Sequence, residues 1–76
     1  MEHNYNEPVP RTYYKSELAL AYNKSMTAAS ALRTLNNWIA LSPGLQDRLA
    51  ATGYRKTAKI LTPIQVKLIF DAIGEP

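Results

Sequence analysis

The 76-residue chain contains no cysteine and a single histidine. Without cysteine it can form neither a disulfide nor a thiolate metal site. The histidine, His3, lies in a polar N-terminal segment with no partner at fixed geometry, so no catalytic role is expected for it. The carboxylates are scattered, and no HExxH, GxGxxG or P-loop pattern occurs. We therefore predict that the protein is not an enzyme and holds no cofactor or metal.

Long apolar runs are missing as well. No stretch approaches the roughly 18 residues that a membrane span needs, and the N-terminus lacks the apolar centre of a secretory signal. We expect a cytoplasmic protein with no membrane contact, and we predict no small-molecule ligand. Nine Lys and Arg against six Asp and Glu give a net charge of +3, which permits binding to phosphates without requiring it.

Residues 1–12 have no helical period and carry prolines at 8 and 10, which predicts a flexible N-terminal arm. The domain is then residues 13–76. A domain of this size buries only about 60% of its unfolded surface, so either its core is well packed or a partner chain supplies extra burial. The arm could carry Arg11 into a DNA minor groove, although a solvated arm is the simpler interpretation.

The segment from Lys15 to Tyr22 predicts a first short helix. Ser16 is a suitable N-cap, and Tyr14, Leu18 and Tyr22 recur every four residues and would line its inner face. The first backbone N–H groups of this helix could also hold a phosphate. For the tyrosines, packing in or at the edge of the core is a simpler interpretation than a stacking role for their rings.

A turn and a second helix follow. Asn23 suits a positive φ in the turn, and Thr27 is placed to cap a helix that ends near Ala40. The apolar residues of this helix form one stripe: Ala28, Ala31, Leu32, Leu35, Trp38 and Ile39. Its polar face carries Ser30, Arg33, Thr34 and Asn37. Two short helices joined by a turn, with Arg and Asn projecting outward, are typical of a helix-turn-helix DNA reader.

A third helix is predicted to start with Ser42 as cap and Pro43 as its first residue, and to end at Gly53. Its stripe would be Leu41, Leu45 and Leu49. The segment from Tyr54 to Ile60 then carries Arg55, Lys56 and Lys59 and predicts a loop or one side of a small hairpin. A basic wing on phosphates and a merely solvated loop are equally supported.

The last helix has the clearest boundaries, with Thr62, Pro63 and Gln65 at its start and Gly74 at its end. Its apolar residues cover more than one stripe, which indicates a core helix or one shared with a second chain. The candidate dimer or partner surface comprises Ile64, Lys67, Phe70 and Ile73. The predicted fold is all-α: a small four-helix domain with a helix-turn-helix-like unit and room for a minimal β-hairpin wing.

Several segments resemble a known family: YYKSELALAY, the run Leu35-Asn36-Asn37-Trp38-Ile39, Thr52-Gly53-Tyr54 and LTPIQVKLIFDAIGEP. The family is a domain of unknown function found in short proteins of gut Bacteroidetes and their phages or mobile elements. The order of elements and the Gly53-Tyr54-Arg55 segment are also similar to MerR and excisionase winged-helix domains. That resemblance implies that Arg55 contacts the DNA backbone from a wing.

The leading hypothesis is a DNA-binding protein acting in transcriptional regulation or DNA handling by a mobile element. Base contacts are assigned to Ser30, Arg33, Thr34 and Asn37, since Arg suits guanine and Asn suits adenine. Backbone contacts are assigned to Lys15, Ser16, Lys24, Thr27, Arg55, Lys56 and Lys59. The alternative is a small protein-interaction module that modulates a host or partner protein through the last helix or the exposed side of Trp38 and does not bind DNA.

Overall fold

The computed structural model describes residues 10–76 and shows a mostly helical domain, as predicted. Residues 1–9, most of the predicted arm, lie outside the described part. The elements in chain order are β1 (Tyr13–Tyr14), α1 (Lys15–Tyr22), α2 (Ala28–Leu41), α3 (Leu45–Ala50), β2 (Ile60–Leu61) and α4 (Pro63–Ile73). None of the described helices has the length and apolar character needed to cross a membrane.

A two-stranded antiparallel sheet joins the beginning of the described chain to the segment before α4. Tyr13 is opposite Leu61, and Tyr14 is opposite Ile60. The pairing continues into α1, whose first N–H group, on Lys15, donates to the Lys59 carbonyl at 2.8 Å. The segment between α3 and β2 is therefore anchored against the start of α1.

The core lies between the helices and the inner side of the small sheet. Because a helix turns about 100° per residue, the buried side chains of each helix recur every three or four residues on the face directed to the core. The buried apolar side chains are Tyr13, Leu18, Ala19, Ala31, Leu35, Ile39, Leu45, Leu49, Leu61, Val66, Ile69 and Phe70. The stripe predicted for α2 is confirmed at Ala31, Leu35 and Ile39, while Ala28 is exposed.

Two helix starts and one helix end agree with the sequence prediction. The Thr27 hydroxyl accepts from the Ser30 N–H at 3.2 Å. At α4, the Thr62 N–H donates to the Gln65 side chain at 3.0 Å, and the Thr62 hydroxyl accepts from the Gln65 N–H. Gly74 ends this helix with a φ of 103°. These caps were predictable because each is formed by residues three positions apart.

The start of α1 differs from the prediction. The N-cap is Tyr14, in an extended conformation, and Ser16 is already inside the helix. The Glu17 carboxylate takes the capping role by accepting from the Tyr14 N–H at 3.3 Å. Pairing of β1 with β2 fixes where the extended chain stops, so the helix begins earlier than a serine cap would place it. Tyr14 is 64% exposed and does not join the inner face with Leu18.

The turn between α1 and α2 also differs, because Asn23 has a φ of −136°. Its N–H donates to the Ala19 carbonyl at 3.1 Å, so it closes α1 without the left-handed conformation. No non-glycine residue of the described chain has a positive φ.

The prediction for the start of α3 was wrong. Gly44, with a φ of 73°, precedes the helix, and Ser42 and Pro43 belong to the turn before it. The Ser42 hydroxyl donates backwards, to the Trp38 carbonyl at 2.9 Å. Leu41 consequently ends α2 and is 79% exposed, whereas Leu45 is fully buried. The even spacing of these leucines crosses a helix boundary and does not form one stripe.

Candidate nucleic-acid interface

The side chain of Lys15 connects three parts of the fold. Only 2% of Lys15 is exposed. Its ammonium group donates to the Asn36 side-chain oxygen at 2.6 Å and to the Lys56 carbonyl at 2.7 Å. It also lies 5.0 Å from the centre of the Tyr54 ring, within the range of a cation–π contact. Lys15 therefore holds the basic loop, residues 55–59, against α1 and α2.

Burial has a clear electrostatic cost at this position. It lowers the pKa of Lys15 from 10.5 to about 8, mainly because the ammonium group is desolvated and also because the Lys56 charge lies nearby. Within residues 10–76, the Lys15 amine has oxygen and ring partners but no carboxylate partner. No acidic side chain of this described part is therefore paired with the charge of Lys15.

We predict that the contribution of Lys15 to stability increases with pH. Its pKa is lower in the folded state than the ordinary value, so unfolding takes up a proton between about pH 8 and 10.5. Stability from this group rises across that window, by at most about 1.4 kcal/mol per pH unit. Urea unfolding of the wild type and of Lys15→Met should show their difference growing in favour of the wild type from pH 7.5 to 9.5.

The comparison between the two proteins cancels the other groups that titrate in this range. Lys24→Met removes the same charge at an exposed lysine and serves as the control for the loss of one positive charge. A wild-type advantage that shrinks as the pH rises would mean that the bonds to Asn36 and Lys56 hold Lys15 in its charged form instead.

The outer face of α2 carries the four residues assigned to base contacts. Arg33 and Asn37 are exposed and stand one helical turn apart, so they project from the same face. Ser30 and Thr34 are half-buried. The Thr34 hydroxyl donates to the Ser30 carbonyl at 3.0 Å and is therefore engaged within the helix. Arg33 and Asn37 are the two members of the set with free reach to a ligand.

The basic loop lies beside this face of α2. Arg55, Lys56 and Lys59 are all exposed, and the Ala58 N–H donates to the Arg55 carbonyl at 2.9 Å, which tightens the loop into a turn. Asn37 and Lys56 line the same small cleft, of about 90 Å³. The cleft joins Asn37 of the polar face of α2 to Lys56 of the loop. We call these two residues, together with Arg33 on the same helix face and the exposed loop cations, the α2–loop surface (Arg33, Asn37, Arg55, Lys56 and Lys59).

The remaining residues assigned to phosphate contacts are placed differently. Lys24 is exposed in the turn before α2, where Thr27 is also exposed but is engaged as the N-cap. Ser16 is half-buried inside α1. The assignment of Lys15 does not fit the structure, because its amine is directed inward to Asn36 and Lys56 and is almost fully buried.

Two acidic side chains of the described chain are paired with cations outside the α2–loop surface. Glu17 forms an ion pair with Arg11 at 2.9 Å, and that guanidinium also stacks 3.7 Å from the centre of the Tyr13 ring. Asp71 pairs with Lys67 along α4 at 3.1 Å. The contact with Arg11 lowers the pKa of the Glu17 carboxyl. Among residues 10–76, no cation of the α2–loop surface forms an ion pair.

The predicted partner surface on α4 is only partly present. Phe70 is 7% exposed and packs edge-on against Tyr13, with ring centres 6.4 Å apart, so it belongs to the core. Ile64 is 54% exposed and Ile73 is half-buried. Lys67 is exposed and occupied by its ion pair with Asp71. Tyr13 of the small sheet covers Phe70, so part of the apolar surface of α4 is buried within the domain and does not need a partner chain to cover it.

A separate apolar groove of about 500 Å³ lies at the C-terminal ends of α1, α2 and α4. Trp38 lines it and packs edge-on against Tyr22, with ring centres 5.7 Å apart. The Tyr22 hydroxyl donates to the Gly74 carbonyl, and burial raises the pKa of Tyr22 to about 12. Leu41 and Glu75 complete the rim, so this groove, which we call the Trp38 groove, combines apolar walls with a carboxylate.

Comparison with known families places the chain in one of them. The family model described as "Domain of unknown function (DUF4248)" matches residues 9–76. The chain belongs to this family. No curated protein and no solved structure matches it. The matched segment includes α2 and the basic loop, so the α2–loop surface is part of the DUF4248 domain itself.

Within this DUF4248 domain, the role of Asn36 was missed by the sequence analysis. Asn36 lies beside Asn37 in the sequence but is turned towards Lys15. The signal was its position next to the apolar stripe of α2, where a half-buried amide needs a partner. The identity of that partner, 21 residues away, is not encoded in any local spacing.

In the described chain, no group of three His, Cys, Asp or Glu side chains is placed to hold a metal ion.

Proposed function

We propose that the protein binds DNA through the α2–loop surface. Arg33 and Asn37 would contact base edges, and Arg55, Lys56 and Lys59 would contact phosphates. The observation that carries the proposal is the shared cleft of Asn37 and Lys56, which brings the polar face of α2 and the basic loop to one side. Anchoring by Lys15 supports it further, because a fixed loop loses less conformational entropy on binding than a free one.

The finer features of this function are part of the same proposal. The two helices α1 and α2 with residues 23–27 between them would act as a helix-turn-helix unit. The basic loop would act as a wing, in the manner of the MerR and excisionase resemblance. A role in transcriptional regulation or in DNA handling by a phage or mobile element of gut Bacteroidetes, in the cytoplasm, is likewise proposed.

The test is fluorescence anisotropy with a labelled random duplex over a range of salt concentrations. Micromolar binding is expected, with a slope of log K against log salt that corresponds to roughly three or more phosphate contacts. Absence of binding at low salt would refute the proposal. A positive result justifies selection of a preferred site from a random pool, which provides the duplex for the next measurement.

Arg33→Ala is predicted to weaken binding to the selected site by about 1–3 kcal/mol and to leave binding to random duplex nearly unchanged. The reason is that a base contact discriminates between sequences, while a phosphate contact does not. Lys56→Ala is the matched comparison and should weaken both duplexes alike. Equal losses for Arg33→Ala on both duplexes would assign Arg33 to phosphate instead.

The exposure of Leu41 favours a second candidate function, a protein-interaction module. This leucine is 79% exposed at the rim of the Trp38 groove, which also includes Ile73 of the predicted partner surface. Because the Trp38 groove adjoins the predicted dimer surface at Ile73, we propose a second copy of the chain as its occupant, giving a homodimer. Sedimentation analysis of the wild type and of Leu41→Asp distinguishes the two: a dimer that the substitution dissociates, without DNA binding, would select this function.

A further inference from the structure

A larger cleft, of about 620 Å³, lies where α1, α2 and the basic loop meet. Its walls include Tyr14, Leu32, Ala58 and Ile60. Two of these apolar side chains are unusually open to solvent, with Tyr14 64% and Ile60 54% exposed. They are cross-strand neighbours in the small sheet, so they form one apolar wall. Both the volume and the lining are in the range of small-molecule sites.

The same cleft is positively charged. Lys56 and Lys59 line it as exposed residues, and Lys15 lines its inner side. No Asp or Glu is among its lining residues in the described chain. Desolvation and the nearby Lys56 charge lower the pKa of Lys15, and no carboxylate of the described residues lines the cleft to offset these charges. A bound anion would supply a negative partner.

The Trp38 groove provides an internal comparison. It is also apolar and of similar volume, but Glu75 lines it and lysine does not. A ligand with an apolar body alone would fit either place. A negatively charged ligand would be repelled by Glu75 and attracted by the three lysines, so charge complementarity assigns it to the cleft beside the basic loop.

We propose that this cleft, which we call the lysine cleft, binds a small organic anion: an apolar ring or short chain that carries one carboxylate or similar group. The apolar body would cover Tyr14 and Ile60, and the anionic group would contact Lys56 or Lys59. A DNA phosphate alone would leave both apolar walls of the cleft open to water, because it has no apolar part. Lys56 and Lys59 also belong to the proposed DNA interface, so the anion and DNA would compete for them, but binding of the anion does not require that the protein binds DNA. The proposal departs from the expectation of no small-molecule ligand.

The test uses 8-anilinonaphthalene-1-sulfonate, a fluorescent probe with aromatic rings and one anionic group, and the whole chain without DNA. Saturable enhancement of fluorescence is expected, and octanoate should displace the probe. Octylamine, which has the same chain length and the opposite charge, should not displace it. Equal displacement by both compounds would overturn the proposal, because it would show that charge does not contribute.

Two isoleucines give a matched pair of variants. Ile60 and Ile64 are each 54% exposed, but only Ile60 lines the lysine cleft. Ile60→Glu places a negative charge beside the anion and should weaken probe binding by roughly tenfold. Ile64→Glu should bind the probe like the wild type. Circular dichroism verifies that both fold, and Ile60→Thr, which keeps a β-branched neutral side chain, replaces Ile60→Glu if that variant does not.

The position of the ligand is checked by amide chemical shifts during titration with octanoate. The expected shifts are at Ser16, Thr57 and Ala58, which line the lysine cleft. Shifts confined to Trp38 and Leu41 would place the ligand in the other groove and overturn the proposal. Identical affinities of Ile60→Glu and Ile64→Glu would overturn it as well. Because no arm of the experiment contains DNA, a failure here is distinguishable from a failure of DNA binding.

Discussion

Leu35→Ala is expected to lower the free energy of unfolding by about 2–5 kcal/mol. Leu35 is fully buried in the middle of α2, within the cluster that joins all four helices. Truncation removes apolar contacts and leaves a cavity that a small core fills only in part. A chain of 76 residues has a total stability of roughly 4–11 kcal/mol. The substitution therefore removes a large share of that stability, and urea unfolding followed by circular dichroism measures it.

Leu41→Ala, in the same helix, is the matched control. Leu41 is 79% exposed, so its truncation should change stability by no more than about 0.5 kcal/mol. Alanine also has the highest helix propensity, which offsets part of any lost contact. Equal losses for Leu35→Ala and Leu41→Ala would mean that Leu41 is covered in solution, as expected if a second copy occupies the Trp38 groove.

This pair of leucines also shows how far the fold was predictable from sequence. Leu35 was assigned to the core because it lies on a stripe repeated within one uninterrupted helix. Leu41 was assigned there too, because it precedes Leu45 and Leu49 at the same spacing. At about 100° per residue, Leu41 lies about 120° from Leu35 around α2. The turn at Gly44 then changes the direction of the chain, so the residues of α3 that face the core do not continue the spacing of α2. The periodicity of apolar residues alone does not reveal such a turn.

The error at Phe70 has a different physical origin, a contact between distant parts of the chain. Phe70 was assigned to a partner surface because α4 looked too apolar for one buried side. Its cover is Tyr13, from β1. The cap formed by Thr62 and Gln65 was predicted because both partners are local. Pairing of β1 with β2 leaves no local signal, since each strand is two residues long.

The candidate site divides in a similar way. The exposure of Arg33 and Asn37 followed from the apolar stripe on the other side of α2, and the structure agrees. The position of the basic loop beside them depends on the bond from Lys15 to the Lys56 carbonyl, across 41 residues. A basic residue next to a serine at a helix start suggested a phosphate contact. Only the packing of the loop shows that this lysine is directed inward.

The double variant Arg55→Gln/Lys56→Gln tests whether the α2–loop surface is a DNA interface. Each phosphate contact contributes about 0.9 to the slope of log K against log salt, so the slope should fall by about 1.8. If the difference vanishes near 1 M salt, the affinity at 0.1 M falls by about 60-fold. The backbone carbonyl that accepts from Lys15 is unchanged by these substitutions, so the loop keeps its anchor.

The matched control is Arg48→Gln/Lys67→Gln, which removes the same two charges from exposed residues of α3 and α4. Both variants lower the net charge from +3 to +1, so any effect of overall charge is shared between them. A local interface predicts a large change in slope for the loop variant and a small one for the control. Equal changes would show that DNA responds to the net charge of the domain and would remove the basic loop from the proposed interface.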